Sequence, residues 1–300
     1  MTSDRFQPAI RALRWLGERA PAQDDNGRED ALRAIATAFP GLALALRTYL
    51  ARTVDAYVYD QPAAFTAFIQ GGGNVGLYEA VSAALAERYR RHGIDSLLDI
   101  GCGNGQALIA ALALARAVPI ARVGLIEPAL PLLEAARPGV IRSAPGASLY
   151  TWAVGLEQFL DTPVDLPRWA LCQSTFALQA IAPQPRWHAL ARLRDRIERL
   201  CIIEFDVPDH LAESDDHLLS LAARYERAIG EYGPTRELVS QGFLIPMLIG
   251  QLGGQSANTN WEHPAEHWKS RLSEIGYRNA AVRRLHDYFW SPAFLLTADP

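Results

Sequence analysis

The sequence predicts an α/β protein: a doubly wound sheet that ends in an antiparallel hairpin, with a helical region in front of it. Three observations predict this. From residue 94 onward, short apolar runs alternate with stretches of helical composition. The first of those runs leads straight into a glycine loop, "LLDIGCGNG" (97–105). The last two runs, "AAVRRLHDYFW" (280–290) and "AFLLTAD" (293–299), are separated only by Ser291 and Pro292. Strands joined by so short a turn are antiparallel neighbours.

Residues 1–93 read as helical. "PAIRALRWLGERA" places Ile10, Leu13 and Leu16 near helical spacing. "DALRAIATAFPGLALALRTYLA" is rich in Ala and Leu and breaks at Pro40-Gly41. "DQPAAFTAFIQ" is a third helix, and "NVGLYEAVSAALAERYRRHG" a fourth, with Asn74 placed to cap it and Gly93 to close it. The glycines of "QGGGN" (70–74) mark a hinge, a backbone contact with ligand, or a surface loop.

The alternating region opens with "SLLDI" (96–100), a short apolar run that suits a buried parallel strand. A helix over "GQALIAALALARAV" follows, then strands at "RVGLIEP" (122–128), "SLYTWAVG" (148–155), the start of "RWALCQSTFALQAI" (168–181) and "LCIIEFDV" (200–207). The alternation pauses over 208–260, which holds two helix-like pieces, and resumes with a helix in "HPAEHWKSRLSEIGY". The expected organisation is therefore a helical cap, lid or dimerisation region at 1–93, followed by a cofactor-binding domain at 94–300 that carries a helical insertion at 208–260.

Bulk properties narrow the function. The chain has 300 residues, 49% of them hydrophobic, which is enough for a core domain with an added piece. A net charge of −4 leaves no electrostatic footprint for nucleic acid. Three widely separated cysteines, Cys102, Cys172 and Cys201, make neither a disulfide framework nor a zinc motif, which fits a reducing, cytoplasmic setting. The N-terminal stretch has scattered charges and no apolar segment of the secretory kind. No run reaches the roughly 20 apolar residues of a spanning helix.

The glycine loop carries the chemistry. Gly101, Gly103 and Gly105 follow a G-x-G-x-G pattern; the dinucleotide fingerprint needs G-x-G-x-x-G, and Gln106 stands where its third glycine would fall. No G-x-x-x-x-G-K-[ST] unit occurs. The loop ends at a helix N-terminus, where backbone amides point outward. Asp99 can accept from loop amides or meet an ammonium group through water. Glu127 ends the second strand, where an acid can accept two hydrogen bonds from ribose hydroxyls.

"LLDIGCGNG" followed by "VGLIEP" resembles the first two motifs of class I S-adenosylmethionine-dependent methyltransferases. "WALCQSTFALQAI" and "LCIIEFD" resemble that family's fourth and fifth strands, and the hairpin after "LSEIGY" its reversed last strand. The resemblance covers about residues 94–207 and 262–300. It implies a Rossmann-like, seven-stranded sheet and S-adenosyl-L-methionine as cofactor. It also implies that Gly101, Cys102, Gly103 and Gly105 line the methionine part, supported by Asp99, and that Glu127 holds the ribose. Pro128 is implied beside the adenine, with Leu156 and Glu157 in "GLEQFL" near its amine, and Gln173 and Ser174 on the sulfonium side. Cys102 otherwise reads as small filler rather than a nucleophile.

Methyl transfer from a sulfonium needs alignment above all, and a base only when the acceptor arrives protonated. The strand-four segment "QSTFALQA" lacks the [DN]-P-P-[YF] of enzymes that methylate base or glutamine nitrogens. A small-molecule acceptor is therefore expected, methylated at carbon or oxygen: an aromatic or keto-acid-like metabolite, in specialised natural-product metabolism. Aromatic residues in the helical covers, among them Tyr57, Tyr59, Phe65, Phe68, Tyr78, Tyr225, Tyr232, Phe243 and Trp261, suit such a pocket or simply pack helices. Catalytic candidates are His210, His217, Tyr78 and Glu204, and no metal is expected. Nitrogen methylation, a non-catalytic cofactor-binding partner protein and a nicotinamide oxidoreductase are the rivals. No nucleic-acid or membrane partner is expected, and a homodimer is left open.

Overall fold

The computed structural model describes residues 4–18, 25–51, 62–163, 167–211, 213–252 and 260–300. Tyr57 and Tyr59 lie outside the described residues. The chain divides into two compact units. One comprises residues 76–208, 259–287 and 292–300; the other 1–75, 209–258 and 288–291.

The first unit is a sheet flanked by helices. Its strands are β1 (Ser96–Ile100), β2 (Arg122–Ile126), β3 (Ser148–Trp152), β4 (Leu171–Thr175), β5 (Leu200–Phe205), β6 (Arg278–His286) and β7 (Ala293–Asp299). They run in the order β3-β2-β1-β4-β5-β7-β6, the first five parallel and β7 antiparallel to both its neighbours. All five residues of β1 are buried, because helices cover both faces of a central parallel strand. At the edge, β6 instead exposes Arg283 and Arg284, charges that discourage further strand pairing.

The hairpin expected at the C-terminus is present, with a longer connection than the sequence suggests. β6 stops at His286 rather than running to 290, and residues 288–291 belong to the other unit. Tyr288, in that connection, donates to Asn74 Oδ1 at 2.9 Å, a partner 214 positions away that strand patterning cannot reveal.

Helix α6 (Gln106–Leu114) follows β1, α7 (Leu130–Ser143) follows β2, and α8 (Leu156–Asp161) follows β3. Helix α9 (Pro183–Leu193) links β4 to β5, and α13 (Ala265–Glu274) precedes β6. Asp206, just past β5, accepts the Ala265 amide at 2.8 Å and so caps α13. Leu156, Phe159, Trp169, Trp187, Trp268 and Phe294 belong to one buried cluster on this sheet. The chain leaves β1 toward β2 on one side and returns to β4 on the other. That reversal opens a crevice at the carboxyl ends of β1 and β4.

The second unit is helical: α1 (Gln7–Glu18), α2 (Asp25–Ala36), α3 (Pro40–Leu50), α4 (Pro62–Gln70), α10 (Asp215–Glu231), α11 (Arg236–Val239) and α12 (Ile245–Leu252). Ile10, Leu13 and Leu16 form the buried face of α1, as their spacing predicts. Gly17 lies so close to α12 that a Cβ there would sit 2.3 Å from the Leu252 carbonyl oxygen. Between α11 and α12 one π-helical turn covers Ser240–Leu244; Pro246, which has no amide to donate, follows it.

One helix caps two others. Glu226 on α10 accepts the Gly41 and Leu42 amides at the start of α3, at 3.0 and 2.6 Å. Glu231 accepts the Gly73 amide at 3.1 Å, at the start of α5 (Gly73–His92). This corrects the expectation that Asn74 caps α5. Asn74 lies inside the helix, and its side-chain amide donates to the Phe68 carbonyl and the Tyr232 hydroxyl. A carboxylate suits a helix N-terminus better than an amide because it meets the positive end of the macrodipole with charge. The preceding glycines serve packing: Gly72 is left-handed at φ 52°, and a Cβ there would lie 2.8 Å from the Tyr232 ring. Among the described residues, no helix is long and apolar enough to cross a membrane.

Candidate active site

The loop between β1 and α6 turns left-handed three times, at Gly101 (φ 65°), Gly103 (φ 53°) and Gly105 (φ 78°). Residues with a Cβ are strained there, which accounts for the three glycines. Two of them are also pressed. A Cβ on Gly101 would stand 2.3 Å from that of Ala177, and one on Gly105 would stand 2.9 Å from Ile109. Gly103 has nothing within 4 Å of that position, so its backbone lies open to an approaching ligand.

Glu127 ties the loop to β2. Its Oε2 accepts the Gly103 amide at 3.0 Å and its Oε1 accepts the Ala129 amide at 2.9 Å. A carboxylate offers about four acceptor positions, so each oxygen keeps one for a ligand hydroxyl. Asp99, in the register of β1 opposite Gln173, is buried, and burial pushes its carboxyl up to about 7. The Gln173 side chain opposes that rise and the Glu127 charge adds to it. Gln173 itself is fixed from below by Tyr89, whose hydroxyl donates to Oε1 at 2.6 Å.

Asp99, Glu127 and the glycine loop border a cavity of about 290 Å³, whereas Gln173 is buried behind it and is not among its lining residues. Asp99, Gly101, Cys102, Gly103, Glu127 and Tyr78, all named from the sequence, line it. Asn104, Gln106, Ala107, Thr175, Phe176 and Ala177 complete the wall. The sequence named none of these six as site residues; on β4 it stopped at Ser174, just short of the last three. The signal available was their position as the residues that end β4 and step off it. Among the described residues, the lining holds two acids and no Lys, Arg or His. The Cys102 thiol is pushed far above its ordinary range, chiefly by burial and then by Asp99 and Glu127, so it stays protonated.

The other residues named from the sequence lie elsewhere. Gly105 is buried at the start of α6, and Pro128 and Glu157 are exposed. Leu156 belongs to the buried cluster. Ser174 donates to the Ile100 carbonyl at 2.9 Å, which turns its hydroxyl toward the sheet. Glu204 is buried on β5, where burial raises its carboxyl to about 8 and it accepts the Gln179 amide at 3.2 Å. His210 and His217 belong to the helical unit. The His217 Nδ1 accepts the Glu213 amide at 3.1 Å, and burial lowers its pKa. Phe68, Phe243 and Tyr232 pack on one another in that same unit, with Phe68 4.1 Å from Phe243 and 5.8 Å from Tyr232.

No protein-family model matches the chain, and no curated protein matches it by sequence. Solved structures do match. A DszA carbon methyltransferase superposes with a TM-score of 0.57 at 11% identity, over 99% of this chain and 88% of that one. The S-adenosylmethionine-dependent methyltransferase SibL, in its apo form, gives 0.51 at 15% identity, over 89% and 73%. At such identities the likeness shows the fold. The seven-stranded sheet with its reversed β7 is the Rossmann-like sheet of these methyltransferases.

Proposed function

We propose that the protein is an S-adenosylmethionine-dependent methyltransferase that methylates a small-molecule acceptor at carbon or oxygen. One observation carries the reading. The Glu127 carboxylate, fixed by the Gly103 and Ala129 amides, keeps acceptor capacity at the mouth of the glycine loop. The charge of the cavity supports the same reading. A lining with Asp99 and Glu127 and without Lys, Arg or His disfavours a pyrophosphate and favours a ligand that carries positive charge. The cofactor, when bound, supplies a methyl group on a sulfonium, ready for in-line displacement.

The chain's own residues then bind and align. Glu127 accepts from the ribose hydroxyls. The open Gly103 backbone lets the methionine part approach, with Gly101, Cys102 and Gly105 shaping the loop. Asp99 presents its carboxylate to the ammonium group. Pro128 and Glu157, exposed just past β2 and β3, take the adenine end, whereas Leu156 packs in the buried cluster, Gln173 stands behind Asp99 on β4, and the Ser174 hydroxyl is turned to the sheet. Tyr78, with its phenol held protonated by burial, offers a hydrogen bond to the acceptor. An acceptor that arrives protonated needs a base, and Glu204, buried in the same unit as the cavity with its carboxyl raised to about 8, is the titratable group proposed for it.

The acceptor is an aromatic or keto-acid-like metabolite of specialised, cytoplasmic natural-product metabolism. Residues 1–75 act with 209–258, in the helical unit, as lid or dimerisation region, whereas 76–93 belong to the sheet unit; sedimentation at several protein concentrations tests the dimerisation role. The test is release of S-adenosylhomocysteine from S-adenosylmethionine in the presence of phenols, β-keto acids or amines, each offered separately. Turnover with phenols or keto acids upholds the reading. Turnover with amines alone favours nitrogen methylation. No turnover with any, in a protein that binds the cofactor, favours a non-catalytic partner protein.

A further inference from the structure

Phe176, the first residue after β4, has a left-handed backbone at φ 52°. A bulky residue is disfavoured there, and such outliers persist where the surroundings over-determine them. The surroundings here do so. The Phe176 amide donates to the Ile203 carbonyl at 2.9 Å. Its ring stacks on Phe205 with centroids 4.4 Å apart and planes 9° from parallel. Tyr78 meets it edge to face at 6.3 Å and 85°. The next residue, Ala177, is the one that packs against Gly101. The ring is thus held, backed by a second ring, at the wall of a cavity whose lining among the described residues includes Asp99 and Glu127.

An aromatic face attracts a cation through its quadrupole, and two nearby carboxylates add to that field. We propose that Phe176, backed by Phe205, is a cation-recognising face, and that the site therefore binds the positively charged sulfonium form of its cofactor more tightly than the neutral thioether product. The proposal rests on the methyltransferase reading above. It gives the strained residue a purpose: the charge lost from sulfur in the reaction weakens the hold on the product and favours its release.

The experiment is calorimetric titration of the full chain with two probes. Sinefungin carries a protonated amine in the region of the sulfonium; S-adenosylhomocysteine is neutral at sulfur. The wild-type protein is expected to bind sinefungin about tenfold more tightly. Phe176→Leu keeps an apolar side chain without the π face, and should weaken sinefungin on the order of tenfold while leaving S-adenosylhomocysteine within about twofold. Phe176→Gly also relieves the left-handed backbone, so it folds even where Leu strains the turn, and it should show the same selective loss. Equal affinity of the wild-type protein for both probes overturns the proposal. So does equal weakening of both by Phe176→Leu and Phe176→Gly, which marks a purely structural ring. Binding of neither probe to the wild-type protein overturns the methyltransferase reading itself, a result distinct from loss of selectivity.

Discussion

Glu127 Oε2 accepts the Gly103 amide at 3.0 Å and so fastens the end of β2 to the loop that follows β1. One carboxylate thus sets the loop's position and still faces the cavity. Glu127→Gln keeps one carbonyl oxygen but replaces the other acceptor with a donor, which opposes one of the two amides. A hydrogen bond to a charged group is worth about 1.5–3 kcal/mol. S-adenosylhomocysteine affinity is therefore expected to fall about tenfold to a hundredfold in this variant, as read by calorimetry.

The glycines differ in what they forbid. Gly101→Ala meets both a left-handed backbone and the Ala177 methyl at 2.3 Å, whereas Gly103→Ala meets only the backbone. Thermal melts should show Gly103→Ala destabilised by about 1 kcal/mol and Gly101→Ala by clearly more. Equal melting temperatures for the two variants would contradict the packing of the 176–178 turn on the loop.

Asp99 makes a pH signature. Its carboxyl rises from 3.8 to about 7, so between those values the folded chain holds a proton that the unfolded chain has released. Its contribution is fully present below pH 3.8 and is lost as pH rises through 7. Glu204, raised to about 8, acts in the same direction over a window that ends one unit higher. Relative to Asp99→Asn, the wild-type protein should lose a few degrees of melting temperature between pH 5 and pH 8. Binding of a cation at the site should strengthen over the same rise, because it needs the ionised carboxylate.

Tyr89→Phe removes the hydroxyl that donates to Gln173 Oε1 at 2.6 Å and leaves a buried acceptor unmet. Denaturant unfolding should report a loss of about 1–3 kcal/mol. An unchanged midpoint would mean that water replaces the hydroxyl.

The parts legible in the sequence are those whose determinants are local. β1 and its glycine loop are contiguous, Glu127 ends the next apolar run, and repeated left-handed turns favour glycine. The reversed β7 follows because even the longer connection observed, residues 287–292, is too short for a parallel crossover. What stayed hidden depends on distant partners. The 209–258 segment joins residues 1–75 in one unit through contacts such as Glu226 with Gly41 and Gly17 with Leu252, so the helical unit is assembled from separate parts of the chain. Glu231 displaces Asn74 as the cap of α5 from 158 positions away. Phe176 escaped notice because nothing in "QSTF" announces a left-handed phenylalanine; the backbone conformation is imposed by Phe205 and Ile203 on the neighbouring strand.

The most direct test of the account is calorimetric titration of the purified chain with S-adenosylhomocysteine, with NADH as control, repeated on Glu127→Ala. The account predicts micromolar binding of S-adenosylhomocysteine, lost in the variant, and no heat from NADH. Binding of NADH without S-adenosylhomocysteine, or affinity for S-adenosylhomocysteine indifferent to Glu127, would contradict it.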